Sequence, residues 1–309
     1  MITVALLSFI ILGLLAMFNQ VQRAFRSSMT QVDVLESGRA VTDMLARDLE
    51  QMYPTRLPNF NINTSSTNFL AVVNPKFAGP MLQGLPGTTD ATGPNQGPYR
   101  TNIIQTLFFT TRYNQDFIGN GYFVFPDSVS GVPVADAGGL GVGTLYRFTT
   151  NRSKNTAIQL GSDFATTLQS VFQNGTTNMP SSVSRIADGV IDFRFRAFDT
   201  NGVQIVPFGN GHLAFWIGNI TPILIGITNG YGGFFASPDQ MNYAYVSNAV
   251  PASVELELAF VEQRVIDRFK GIGSGNQAAQ RTYLSNHVAE VHVFKQRIPI
   301  RNIDFQAYQ

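Results

Sequence analysis

The chain has 309 residues, of which 44% are hydrophobic, 13% charged and none cysteine, and its 21 Lys plus Arg against 20 Asp plus Glu leave a formal net charge of +1. That balance supplies no global field for collecting nucleic acid, whose readers carry basic surfaces, and the lack of cysteine excludes disulfide frameworks, thiolate zinc sites and thiol nucleophiles. The 28 Gly, 15 Pro and 25 Phe among many Asn, Thr and Ser describe a turn-rich, aromatic-cored β body rather than a disordered chain.

Residues 2–18 read ITVALLSFIILGLLAMF, an uncharged run softened only by Thr3, Ser8 and Gly13. A spanning helix needs about 17–25 apolar residues, so residues 1–18 are expected to cross a membrane. No Lys or Arg precedes the run and no small-x-small site closes it, so it lacks the marks of a cleaved secretory signal. The helical pattern continues without a break until Pro54, which predicts one helix over residues 1–52 with an amphipathic part at 19–52. At about 100° per residue, Phe18, Val21, Phe25, Met29 and Val32 share one side. Val34, Val41, Leu45, Leu49 and Met52 share nearly the opposite side, with the change just before Gly38. Two successive stripes imply two partners: something outside the domain below, and the chain's own body above. Arg39, Asp43 and Arg47 follow at i, i+4 spacing on the remaining surface.

The rest, residues 53–309, reads as a single body. Strands are expected at 102–111, 121–125, 144–150, 212–216 and 288–298, where β-branched and aromatic residues concentrate, and a buried strand at 220–227. Residues 162–173 form a helix pattern, with Phe164, Leu168, Val171 and Phe172 on one face, and residues 276–287 a weaker one. Gly/Pro-rich loops are expected at 76–100 and 126–143. Ile191, Phe193 and Phe195 alternate with Asp192, Arg194 and Arg196, and Val254, Leu256, Leu258 and Phe260 alternate with Glu255 and Glu257. One strand therefore shows a mainly cationic face and the other an anionic one. Pairing them places Arg194 and Arg196 beside Glu255 and Glu257, each pair contributing about 0.2–1 kcal/mol.

The uncharged N-terminal run resembles the start of type IV pilin-like proteins. Within them the chain is most similar to the J-type minor pseudopilin of type II secretion systems. The segments SRIADGVIDFRFRAFDTNG (184–202) and PASVELELAFVE (251–262) are similar to the strand-turn after that family's variable region and to its late strand. The resemblance implies an α+β, pilin-like fold: a long N-terminal helix, its lower half transmembrane, packed on an antiparallel β-sheet. It implies a basic leader cut by a prepilin peptidase, with N-terminal methylation, and places the cleavage site and the family's Glu before Met1. A leader there also reconciles the positive-inside rule with an exported body, because Arg23 and Arg26 follow the span and nothing basic precedes it.

On this resemblance the chain is a structural subunit of a pseudopilus tip in the bacterial inner membrane, its body in the periplasm. Its partners are the I- and K-type minor pseudopilins and the major pseudopilin, and an external ATPase drives movement. Helix packing in lipid falls to Leu6, Ser8, Phe9, Gly13, Leu14, Ala16, Phe18, Phe25 and Met29, the small residues among them permitting close approach. A PilW-type minor pilin of a type IV pilus shares these features. A membrane-tethered periplasmic binding or hydrolytic domain is the alternative of another class.

Chemistry is sparse. There is no HExxH, GxSxG or P-loop, and His212, His287 and His292 are not spaced as a metal set, so neither enzyme activity nor a cofactor or metal is expected. GGLGVG at 138–143 lacks dinucleotide-binding spacing and reads as a turn. Asp199-Thr200-Asn201-Gly202 reads as a hairpin turn rather than a calcium loop, and Trp216 as core material.

Overall fold

The computed structural model describes residues 2–55, 67–74, 81–84, 99–126, 142–174, 179–205, 212–217, 220–226, 243–246, 249–272 and 276–303. Helix α1 (Ile2–Glu50) runs unbroken for 49 residues, about 74 Å at 1.5 Å per residue. It ends two residues before the sequence pattern does, because Met52 leaves the helix to bridge Thr111.

The strands that follow are β1 (Thr67–Val73), β2 (Met81–Gly84), β3 (Tyr99–Asn102), β4 (Gln105–Tyr113), β5 (Asp116–Pro126) and β6 (Gly143–Ser153). After α2 (Leu160–Asn174) come β7 (Val183–Phe198), β8 (His212–Ile217), β9 (Ile220–Gly226), β10 (Tyr243–Val246) and β11 (Ser253–Val261). Helices α3 (Gln263–Gly271) and α4 (Gln277–Asn286) precede the last strand, β12 (Val291–Pro299). Ten strands form one sheet in the order β12-β11-β7-β6-β5-β4-β1-β10-β8-β9, antiparallel throughout except for β10 beside β8, and the architecture is α+β. The remaining two, β2 and β3, pair antiparallel with each other apart from that sheet, so that 81–84 and 99–100 of the segment the sequence marks as loop are strand. Residues 127–141 of the loop expected at 126–143 and the side chain of Trp216 lie outside the described residues, but Gly143, read as the end of the GGLGVG turn, instead opens β6 opposite Pro126 because the β5–β6 ladder runs to that end; for the strand at 220–226 the backbone alone is described.

Two layers of side chains face opposite sides of the sheet, as the period of two in β4 and β5 requires. Leu107, Phe109, Tyr122 and Val124 point toward α1, where they meet Val41, Leu45, Leu49 and Met52. Phe108, Phe123 and Phe148 point the other way, onto Phe164, Val171 and Phe172 of α2. Gly121 permits that second contact: a Cβ there would stand 2.3 Å from the Phe164 ring.

The alternation of 191–195 fails at one position. Ile191 is expected beside Phe193 and Phe195, but Asp192 pairs with Ala259 and Val190 with Phe260, so β7 spends two residues where β11 spends one. Ile191 is the extra residue of a β-bulge, which turns it to the opposite face. There it joins Val265, Ile266 and Phe269 of α3, while Phe193 and Phe195 stay in the core under α1. Beyond β7, the backbone N–H of Asn201 (2.9 Å) and of Val203 (2.7 Å) donate to Asp199 Oδ1, and Gly202 takes φ +77°, closing a side-chain-capped turn.

The sheet curls so that the start of β4 returns to the free flank of β7. Phe193 N–H donates to the Ile103 carbonyl at 2.9 Å, Ile103 N–H to Asp192 Oδ1 at 2.9 Å, and Phe195 N–H to Gln105 Oε1. Side chains therefore satisfy backbone donors where no regular ladder forms.

Candidate assembly interface on the first helix

Below the body, α1 is packed against no other element among the described residues. Phe9 is 81% exposed, Phe25 67% and Met29 68%, and Leu14, Phe18, Val21 and Val32 are likewise open. Ser8 and Ala16 are exposed, a Cβ placed on Gly13 would meet nothing within 4 Å, and the side chain of Leu6 lies outside the described residues. By length and composition this helix is long and apolar enough to cross a membrane. The exposed stripe is longer than that task needs, since about 20 residues cross the roughly 30 Å hydrocarbon layer.

Above residue 34 the helix is held in three ways. Close approach comes first: Gly38 is buried under Phe294 of β12, and a Cβ on it would stand 2.1 Å from that ring. Apolar burial follows, with Leu45, Leu49 and Met52 fully enclosed. The third is polar. Asp48 accepts a hydrogen bond from the Tyr122 hydroxyl of β5 and pairs with Arg147 of β6 at 2.6 Å, while the Arg147 guanidinium lies 5.9 Å from the Tyr122 ring centre. Burial, then the neighbouring Asp48 carboxylate, pushes the Tyr122 phenol far above its ordinary pKa, so it stays a donor. The helix end is tied by Asn302, whose Nδ2 donates to the Met52 carbonyl at 3.0 Å, and by Arg301, 2.6 Å from Glu50.

On the flank of the sheet a charge ladder crosses three strands. Glu255 lies opposite Arg196 and Glu257 opposite Arg194. Arg196 Nη1 reaches Glu255 at 2.7 Å and Glu257 at 3.1 Å, and Lys295 of β12 reaches Glu255 at 3.1 Å. Burial works against the Arg196 cation, but the hydrogen bonds to the two carboxylates outweigh it and raise its pKa. Arg194 is buried, with Asp192 at 3.7 Å on its own strand.

Among the described residues no group of three or more His, Asp or Glu could hold a metal ion. The His287 ring lies tilted at 35° against Tyr283 with ring centres 4.0 Å apart, and His292 stands 3.4 Å from Glu262. Asp48, Tyr122 and Arg147 are absent from the sequence reading. The one sequence signal for them is a carboxylate flanking the apolar stripe next to Leu49; its partners lie 74 and 99 residues away. Comparison with protein-family models, with curated proteins and with solved structures finds no match.

Proposed function

We propose that this chain is a pilin-like assembly subunit of the J-type minor pseudopilin class, held in the bacterial inner membrane by the lower part of α1 with its body in the periplasm. The observation that carries this reading is the exposed apolar stripe of α1, which continues through Phe25, Met29, Val32 and Leu35. Residues 2–21 suffice for the hydrocarbon layer at about 1.5 Å per residue. The apolar side chains beyond them require cover from protein, and a neighbouring helix of the same kind supplies it. A plain tether has no use for that extension, nor for a helix locked to its body by Gly38 and Asp48. I- and K-type subunits and the major pseudopilin are the partners this reading assigns. A PilW-type subunit would use the same helix with pilus partners instead.

Gly13 offers the sharpest test, because its surroundings are open for a close neighbour. Gly13→Arg is expected to abolish detergent-resistant co-purification with pilin-like partners while leaving the body folded. Undiminished co-purification would reject the assembly role in favour of a tether.

A further inference from the structure

Strand β12 ends the ten-stranded sheet, so another strand meets only one of its two backbone edges. It pairs with β11 along its whole length without a register shift. At the two ends of that ladder Glu262 N–H donates to the Glu290 carbonyl at 3.2 Å, and Ile300 N–H to the Ala252 carbonyl at 3.0 Å. Facing residues of an antiparallel pair alternate between bonded and non-bonded, so even-numbered residues of β12 turn their backbone groups to β11 and odd-numbered ones turn them outward. The N–H and C=O groups of Val293, Lys295 and Arg297 therefore line the outer edge, and these six groups have no hydrogen-bond partner among the described residues. No bulge and no Pro before Pro299 interrupts this edge, although proteins commonly blunt a long edge with such devices.

The side chains of these three residues share the face turned away from α1, because the intervening Phe294 packs on Gly38. Val293 is 47% exposed and the Lys295 side chain 54%. Lys295 reaches Glu255 at 3.1 Å. The Arg297 guanidinium lies 3.9 Å from the Phe198 ring centre and its Nε donates to Ser253 Oγ at 3.0 Å, but no carboxylate reaches it among the described residues. These cations select the neighbour. The one register that engages all six groups of each of two β12 strands sets Lys295 opposite Lys295, so pairing with a second copy is repelled. The inner edge displays the chemistry that fits: β11 sets Glu255 opposite Arg297, Glu257 opposite Lys295 and Ala259 opposite Val293.

We propose that the outer edge of β12 receives an extended acidic segment of a partner protein as an added antiparallel strand, with carboxylates opposite Arg297 and Lys295 and a small apolar residue opposite Val293. Along the partner this order is acidic-x-acidic-x-apolar. Backbone hydrogen bonds supply the affinity of such a contact and alternate side chains its specificity. The contact uses no residue of α1, so it goes beyond the assembly reading and does not depend on it.

A peptide with the sequence of residues 253–259, SVELELA, serves as the probe. Labelled with fluorescein and titrated with the full-length protein in detergent, it is expected to bind saturably, and less tightly as salt is raised. The same peptide with both Glu replaced by Lys should bind roughly tenfold more weakly. Backbone methylation separates strand addition from charge attraction alone. The N–H of the second Glu, opposite Lys295, would face β12, so methylating that nitrogen should abolish binding, whereas methylating the nitrogen of the preceding Leu, which faces away, should leave it. Amide hydrogen exchange of the bound protein should slow at Val293, Lys295 and Arg297. Absence of saturable binding, equal loss from both methylated peptides, undiminished binding of the Lys peptide, or binding without slowed exchange at these three amides would each overturn the proposal.

Discussion

Two buried tyrosines tie the body's stability to alkaline pH. Burial raises Tyr243 from 10.0 to about 12, and raises Tyr122 further with the help of Asp48. Above pH 10 the unfolded chain loses phenol protons that the native state retains. The native state then binds more protons, and stability falls as pH rises. Each tyrosine contributes a slope of about 1.4 kcal/mol per pH unit, between about 10 and 12 for Tyr243 and continuing upward for Tyr122. Unfolding measured across a pH series should therefore be flat in these groups below pH 10 and steep above it. Tyr122→Phe should remove one slope. It should also lower stability at neutral pH by about 1–3 kcal/mol, because Asp48 loses a donor in a partly buried place. An unchanged alkaline slope in Tyr122→Phe would show that the phenol ionises freely in the folded protein. None of this is legible in the sequence, where Tyr122 is one aromatic residue in an apolar strand and Asp48 one charge on a long helix.

At the scale of elements, the union of α1 with β12 turns on a missing methyl group. In an exposed helix interior Gly→Ala would gain about 1 kcal/mol. At Gly38 the new Cβ meets the Phe294 ring at 2.1 Å, and overpacking of that kind costs about 1–3 kcal/mol, so destabilisation should win. Gly38→Ala is expected to lower the melting temperature, and Gly38→Ala with Phe294→Leu to recover much of the loss. A stabilising Gly38→Ala would mean that the helix stands further from the sheet. The two stripes of α1 are plain in the sequence because helix periodicity is local, and the switch near Gly38 follows from it. Strands β7 and β11 are legible for the same reason, through period-two alternation. Helix α3 carries a signal too, in Val265, Ile266 and Phe269 on one face, but it starts directly after the strand 251–262 with no Pro or Gly between them. The bulge at Ile191 leaves no local mark, since an extra residue is defined only by the strand opposite.

Sheet order belongs to the whole molecule and depends on contacts remote in the chain. Strand β1 sits between β4 and β10, and Asn68 Nδ2 donates to the Ala249 carbonyl at 2.9 Å across 181 residues. No periodicity encodes such a neighbour. The curl that returns β4 to β7 is held by side chains acting as backbone, with Asp192 the clearest case: fully buried, accepting from Ile103 N–H and lying beside Arg194. Asp192→Ala should leave that N–H unsatisfied and the buried cation poorly compensated, costing about 3–5 kcal/mol. Asp192→Asn keeps an acceptor and should cost visibly less. Chemical denaturation of both variants measures the difference, and equal losses would show that the seam does not depend on this acceptor.

The dock of α1 also decides how the protein bears tension. Phe294 of β12 lies against the helix at Gly38, so a pull on the lower helix enters the body there and passes on to Tyr122 and Arg147 through Asp48. The load is shared between β12 and the middle of the sheet without travelling along the intervening backbone. Rupture under force should thus begin as detachment of one rigid rod, with the sheet still folded behind it.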